Sequence, residues 1–296
     1  MVPAGGPAGV GAGVSSGSSA MAARLGATRV SGRLDVARAL TAADRRGFGG
    51  VRPTGSGEAS FGVVAARTPV PHLKHERAWM TEGQAFVVGV DEVGRGALSG
   101  PVTVGVVAVD GSTGRQPNGL RDSKLLTAEE REALAPRIRR WALAWGVGHG
   151  TSEEIDEFGI LVALRLAGER ALAAAGVRPG ITILDGNYDW LTRPPRPLVA
   201  DAPPVDGRVQ LMIKGDMKCS SIAAASILAK VERDGLMREM SDSFPEYCWH
   251  ENKGYATPVH LDALRRLGPC AYHRRSWNLP LAGEELAEAE LVLAAG

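Results

Sequence analysis

Asp91 and Glu92 stand side by side at the end of an apolar run, Phe86-Val87-Val88-Gly89-Val90. The turn Gly94-Arg95-Gly96 follows at once, and then a second apolar run from Pro101 to Val109. Two adjacent carboxylates on a buried strand are costly unless something positive neutralises them. The glycines flanking Arg95 free the backbone to approach a ligand closely. An acid pair beside a flexible basic turn suits a hard metal ion next to a phosphate-bearing substrate. Two further acids, Asp185 in Leu184-Asp185-Gly186-Asn187 and Asp216 in Lys214-Gly215-Asp216, also fall where short apolar runs end. Ligands of open α/β sheets gather at strand ends. Four carboxylates meeting there would repel one another, and oxygen-preferring Mg2+ or Mn2+ would remove that repulsion. No His or Cys lies beside these acids, which argues against zinc. For Asp185 and Asp216 a plain turn stays open as a second reading, since Asp-Gly is a common turn pair. Neighbours on a regular strand face opposite sides, so Asp91 and Glu92 share a site only if the strand ends or bulges there; Gly94 and Gly96 would permit that.

These acids need elements to hold them. Phe86–Val90 and Pro101–Asp110 read as strands. Thr127 with Glu130 three residues on is a capping box, opening a helix to about Arg140. Trp141, Leu143, Trp145 and Val147 alternate, which predicts a strand ending near Gly150. Ser152 is expected to cap one long helix that Gly176 stops. Ile181–Leu184 and Val209–Ile213 are short strands, separated by a Pro-rich loop from Pro194 to Pro204. A small-residue helix runs from Ser220 to about Met240. Thr257 caps another, with Pro258 at its first position and Gly268 beyond its end. The tail Gly283–Ala295 reads as an acidic helix. The order β-β-α-β-α-β-β-α indicates an α/β domain with a helical C-terminal portion from about residue 241.

The chain has 296 residues, 44% of them hydrophobic, and a net charge of only +1, so polyanion binding must come from a local patch. Residues 1–68 stand apart. The first 60 hold 13 Gly and 7 Arg against 3 acidic residues and few large apolar side chains, so this extension is expected to be disordered. A weak helix near Leu34–Ala43 is the one exception. Residues 69–296 form the expected catalytic domain. No apolar run reaches the length of a membrane span, no secretory signal is seen, and the three cysteines form neither a zinc spacing nor a disulfide framework. A cytoplasmic monomer is the expectation.

The motif series resembles the ribonuclease HII family. The resemblance rests on Asp91-Glu92-Val93-Gly94-Arg95-Gly96, Asp122-Ser123-Lys124, Leu184-Asp185-Gly186-Asn187, and Lys214-Gly215-Asp216 leading into Ala223-Ala224-Ala225-Ser226-Ile227-Leu228-Ala229-Lys230-Val231. It continues through Lys253-Gly254-Tyr255-Ala256-Thr257, His260 and His273-Arg274-Arg275-Ser276, in order over roughly residues 69–280. It implies a ribonuclease H-like mixed sheet flanked by helices. It also implies an endonuclease that hydrolyses the RNA strand of RNA–DNA hybrids and nicks 5′ of ribonucleotides embedded in duplex DNA, leaving 3′-hydroxyl and 5′-phosphate ends. Asp91, Glu92, Asp185 and Asp216 correspond to the catalytic acids that hold two divalent ions, Mn2+ or Mg2+. In this hypothesis Asp91 bridges both ions. Gly94, Arg95 and Gly96 resemble the reader of the ribose 2′-hydroxyl, and Tyr255 the tyrosine that stacks on a sugar at an RNA–DNA junction.

Other residues carry two readings each. Ser123 and Lys124 fit a phosphate contact or an ordinary loop. Tyr255 fits a sugar platform or a core aromatic. Arg265, Arg266, His273, Arg274 and Arg275 fit a phosphate track or a solvated face. Lys230 and Asp234 read as a structural i, i+4 pair. Ser220, Ser221 and Ser226 read as close-packing residues. The competing functions are another ribonuclease H-fold nuclease, a junction-specific or structure-specific DNase, and a non-catalytic nucleic-acid-binding relative, whose mark would be a missing acid.

Overall fold

The structure, a computed structural model, describes residues 70–192 and 207–280. The expectations for residues 1–68, the Leu34–Ala43 helix, the Pro194–Pro204 loop and the Gly283–Ala295 tail lie outside these residues. A short helix, α1 (Lys74–Thr81), leads into β1 (Phe86–Val93) and β2 (Val102–Asp110). Then come α2 (Ala128–Trp141), β3 (Ala144–Gly150), α3 (Ser152–Phe158), α4 (Ile160–Ala175), β4 (Ile181–Asp185) and β5 (Arg208–Met212). Three more α-helices follow among the described residues: α5 (Ser220–Ser243), α6 (Trp249–Asn252) and α7 (Pro258–Leu267).

The five strands form one mixed sheet in the order β3-β2-β1-β4-β5. β1 pairs antiparallel with β2 and parallel with β4. β2 pairs antiparallel with β3, and β4 parallel with β5. β1 and β2 are β-branched at most positions because both faces are covered. Val88, Val90, Val104 and Val106 pack with Ala163, Leu164 and Ala167 of α4. On the other face Val107 and Val109 pack with Ala223, Ala224 and Ile227 of α5 and with Leu134 and Ile138 of α2. A third cluster, around Met237, Tyr247, Trp249 and Leu264, ties the helical C-terminal part to the far end of α5.

Three local expectations change. Trp141 ends α2 rather than opening the next strand, which begins at Ala144. Thr151, not Ser152, caps α3, because Thr151 is the residue three before a glutamate. Its Oγ1 accepts from the Glu154 N–H at 3.2 Å, and its own N–H donates to Glu154 Oε2 at 2.9 Å. The long helix is two helices. Gly159, at φ 82°, ends α3 and starts α4 at a new angle, a conformation that suits glycine. The Thr127 capping box is present in full, and Gly176 closes α4 in the left-handed conformation.

One interlock was not read from the sequence. Gly146, Gly148 and Gly150 turn toward α4, where a Cβ would lie 2.1, 2.2 and 2.6 Å from the carbonyl oxygens of Ala171, Ala167 and Ala163. Backbone thus packs on backbone, and α4 settles directly on β3. Gly148→Ala is expected to cost about 2–3 kcal/mol, because neither surface can yield without moving the helix. A thermal melt should fall by about 5–10 °C; an unchanged melt would refute this packing.

Candidate active site

β1 keeps regular antiparallel register with β2 as far as Val93–Thr103, so there is no bulge at Asp91. Its parallel pairing with β4 stops at Val90–Leu184. Beyond that pair, one edge of β1 is open. Asp91 and Asp185 each stand one step past it on the α5 side of the sheet, as neighbours on adjacent strands. Glu92 points to the opposite face, as strand periodicity requires, where the polar edge of Trp190 helps to lower its pKa. The open edge lets carboxylates from both faces act on one space, the role expected of a bulge. Asp216 arrives on the short turn Gly215–Met217, between β5 and α5.

The four acids feel one another. Burial pushes the Asp91 carboxyl well above the ordinary range. The charges of Glu92, Asp185 and Asp216 push it further, against a lowering hydrogen bond from Ser226. Glu92 is raised by burial and by Asp185, while Arg95 and Trp190 oppose. Asp216 is raised by burial, Asp122 and Asp185, with Lys124 opposing. Asp185 thus acts on all three others. Each acid also has a protein partner. The Glu92 N–H donates to Asp91 Oδ1 at 2.8 Å, and the Gly215 N–H to Asp185 Oδ1 at 2.7 Å. Lys124 Nζ lies 3.4 Å from Asp216 Oδ2, and Arg95 Nη1 3.5 Å from Glu92 Oε1.

Among the described residues no three acids are already disposed as a cage for an ion. The donor set nonetheless fits a hard divalent cation. It is all carboxylate, it holds anions whose charge is disfavoured by burial and repulsion, and two mobile side-chain cations already stand against it. Lys124 is 78% exposed and Arg95 47%, so both can swing aside.

The expected substrate contacts divide. Arg95 and Lys124 face the acids from solvent. Behind Gly94, at φ 82°, a Cβ would meet Arg233 Nε at 2.0 Å, so this glycine serves internal packing. Gly96 has nothing within 4 Å and is the glycine that presents open backbone. Tyr255 is half-buried beside that turn: the Leu98 N–H donates to the Gly254 carbonyl at 2.8 Å. Two placements are corrected. Ser123 is buried, with its hydroxyl 2.9 Å from Ser226 Oγ, and so supports Asp91 rather than facing a substrate. Arg274 is fully buried, and so is its neighbour His273, so neither lies on a surface phosphate track. Both point inward because main-chain carbonyls and ring nitrogens there accept or supply their hydrogen bonds. Asp234 pairs with Lys230 at 2.7 Å and with Arg131, as a structural pair should. Sequence reasoning missed Ser226, Trp190 and Asp122 as neighbours of the acids. Ser226 and Asp122 lay inside quoted motifs, whereas Trp190 had no spacing to mark it.

Comparison with known proteins bears on the family and the fold. The family model for ribonuclease HII matches residues 88–279. A ribonuclease HII of Streptomyces avermitilis is 44% identical over 209 residues, 71% of this chain and 84% of that protein. In the solved complex of PCNA with ribonuclease HII from Archaeoglobus fulgidus, a chain aligns with a TM-score of 0.51 and 26% identity, covering 64% of this chain and 93% of its own. Bst ribonuclease HIII, solved with Mn2+, aligns with a TM-score of 0.52 at 20% identity over 70% of each chain, a likeness of fold alone. The motifs, the mixed sheet and these matches together establish that the chain belongs to the ribonuclease HII family.

Proposed function

We propose that residues 69–296 form a divalent-metal-dependent endonuclease that hydrolyses the RNA strand of RNA–DNA hybrids and nicks duplex DNA 5′ of embedded ribonucleotides. The observation that carries this reading is the mutual influence of Asp91, Glu92, Asp185 and Asp216 at an open strand edge beside the Gly94–Gly96 turn. Bound by these acids, two hard ions would activate water and stabilise the leaving 3′-oxygen. Asp91, which feels Glu92, Asp185 and Asp216, and Asp185, which acts on the other three, would hold the ions together with Glu92 and Asp216. Ser226 and Trp190 stand against Asp91 and Glu92 and favour their charged forms. Lys124, exposed beside Asp216, would meet a substrate phosphate. The open backbone at Gly96 reads a 2′-hydroxyl, the group that separates ribose from deoxyribose. Tyr255 supplies the stacking face for the adjoining sugar. With all four acids in place, a non-catalytic relative is disfavoured. No helix among the described residues is long and apolar enough to cross a membrane.

The test is a duplex carrying one ribonucleotide against the same duplex in all-DNA form, each with Mn2+, with Mg2+ and with neither. Ion-dependent cleavage 5′ of the ribonucleotide, leaving 3′-hydroxyl and 5′-phosphate ends, is expected. Equal cutting of both duplexes would point instead to a structure-specific DNase.

A further inference from the structure

Arg233 and Arg274 are both fully buried. Arg274 Nη2 donates to the Gly94 carbonyl at 2.6 Å and the Gly100 carbonyl at 3.1 Å, and Nη1 to the Arg95 carbonyl at 2.9 Å. Arg233 donates to Pro101, Lys253 and Ser99 carbonyls at 2.8, 2.9 and 3.3 Å. Its guanidinium also sits 5.5 Å from the centre of the Tyr255 ring. The hydrogen bonds named for both arginines run to main-chain carbonyls, and Asp234 and Asp156 act on Arg233 and Arg274 only as nearby charges. Two buried cations held mainly by neutral carbonyls are a costly way to hold a loop, and burial followed by repulsion from Arg233 brings Arg274 down to about 9.

The glycines fit around this pair. Besides Gly94 against Arg233, a Cβ on Gly254 would lie 2.6 Å from the Ser99 carbonyl. The main chain closes the remaining gap, with the Leu98 N–H on Gly254 and the Arg274 N–H on Leu98 at 2.9 Å. The arginines draw the carbonyls of Gly94 and Arg95 inward. The N–H groups of Arg95 and Gly96 are left without an internal acceptor among the described residues.

We infer that Arg233 and Arg274 are positioning residues, a two-guanidinium clamp that locks the Gly94–Pro101 turn and the Lys253–Tyr255 turn into one rigid reader. The reader presents free backbone N–H groups to the ribose and phosphodiester of the substrate. This rests on the proposed hybrid-cleaving function, and it adds residues that never touch the substrate. Arginine is required because a planar fork reaches several carbonyls at once, whereas a lysine ammonium cannot span them.

Arg274→Lys is the direct test, with Ile138→Ala in the α2 layer as a reference for plain destabilisation, both assayed well below their melting temperatures. On the single-ribonucleotide duplex Arg274→Lys is expected to lose about 100-fold in kcat/KM and about tenfold in discrimination against all-DNA, while Ile138→Ala stays within about threefold of wild type. Equal kinetics for the two variants would overturn the inference. Hydrogen exchange on the wild-type protein needs no variant: the amides of Leu98, Gly100, Gly254 and Arg274 should open together at one rate. Independent opening of the two turns would overturn it as well. Should the wild type cut all-DNA equally, the functional reading fails, and exchange alone decides the clamp.

Discussion

Replacing Asp91 by Asn is expected to reduce cleavage by a factor on the order of 10^4, the scale seen when one member of a catalytic unit is lost. Hybrid affinity should change little, because Asp91 is only 6% exposed. The same change should raise the melting temperature measured with a chelator present. It removes a charge opposed by burial and by Glu92, Asp185 and Asp216. An Asn side chain still accepts from the Glu92 N–H and can donate to Ser226, so no buried polar atom is stranded. A gain of about 1 kcal/mol, or about 2–4 °C, is reasonable. Saturating Mn2+ or Mg2+ should reverse the order. The wild type gains about 2.7 kcal/mol at a hundredfold excess over Kd, and the variant gains far less. Retained turnover, or an identical ion-dependent rise in both proteins, would remove Asp91 from the ion-binding set.

This trade between stability and chemistry explains what could be read from residue order. The clustered acids were legible because carboxylates at the ends of apolar runs are rare unless used, and the strands were legible because both faces of β1 and β2 are covered. The way Asp91 and Glu92 meet was not. Residue types show periodicity, but an open edge beyond Val90 depends on where β4 stops pairing, which is a long-range fact. Arg274 misled for a related reason. A guanidinium in a basic run belongs at the surface by ordinary statistics, and only the fold reveals six inward-turned carbonyls around Arg233 and Arg274. The Gly146, Gly148 and Gly150 set was hidden among the tryptophan and valine that seemed to define the strand. Its meaning required Ala163, Ala167 and Ala171 on a helix that sequence alone could not dock.

The second large effect is acid sensitivity from two buried neutral histidines. His149 is 1% exposed, its Nδ1 lies 2.9 Å from Thr103 Oγ1, and burial and then the Arg170 charge lower its pKa to about 4. His273 is lowered to about 3, by burial and then by His260. The hydrogen bonds fix its proton. The Cys270 N–H can only donate, so His273 Nδ1, 3.1 Å away, is bare. Its Nε2 therefore donates to His260 Nε2 at 3.1 Å, and His260 Nδ1 donates to the Tyr255 carbonyl at 2.9 Å. A further proton on this pair meets the Cys270 N–H or the Trp249 Nε1–H, with only the weakly accepting Cys270 Sγ, 3.3 Å from His273 Nδ1, to receive it. Both folded values lie below the ordinary 6.5, so the unfolded chain takes up the protons first. Stability is then whole above about pH 6.5 and is lost as pH falls toward about 4 for His149 and about 3 for His273. At pH 5 each contributes a loss of about 2 kcal/mol. The raised carboxyls of Asp91, Glu92 and Asp216 act in the opposite sense, holding their protons in the folded state, so stability from them falls as pH rises. A single melting curve against pH therefore reports a difference. His149→Asn and His273→Asn isolate the histidine part, since an Asn amide can replace Nδ1 in each bond while leaving nothing to titrate. Each variant, though less stable at pH 7.5, should lose about 2 kcal/mol less than wild type on going to pH 5. A loss equal to that of wild type in both would mean that these rings are already charged in the folded protein, and the proton chain ending on Tyr255 would have to be redrawn.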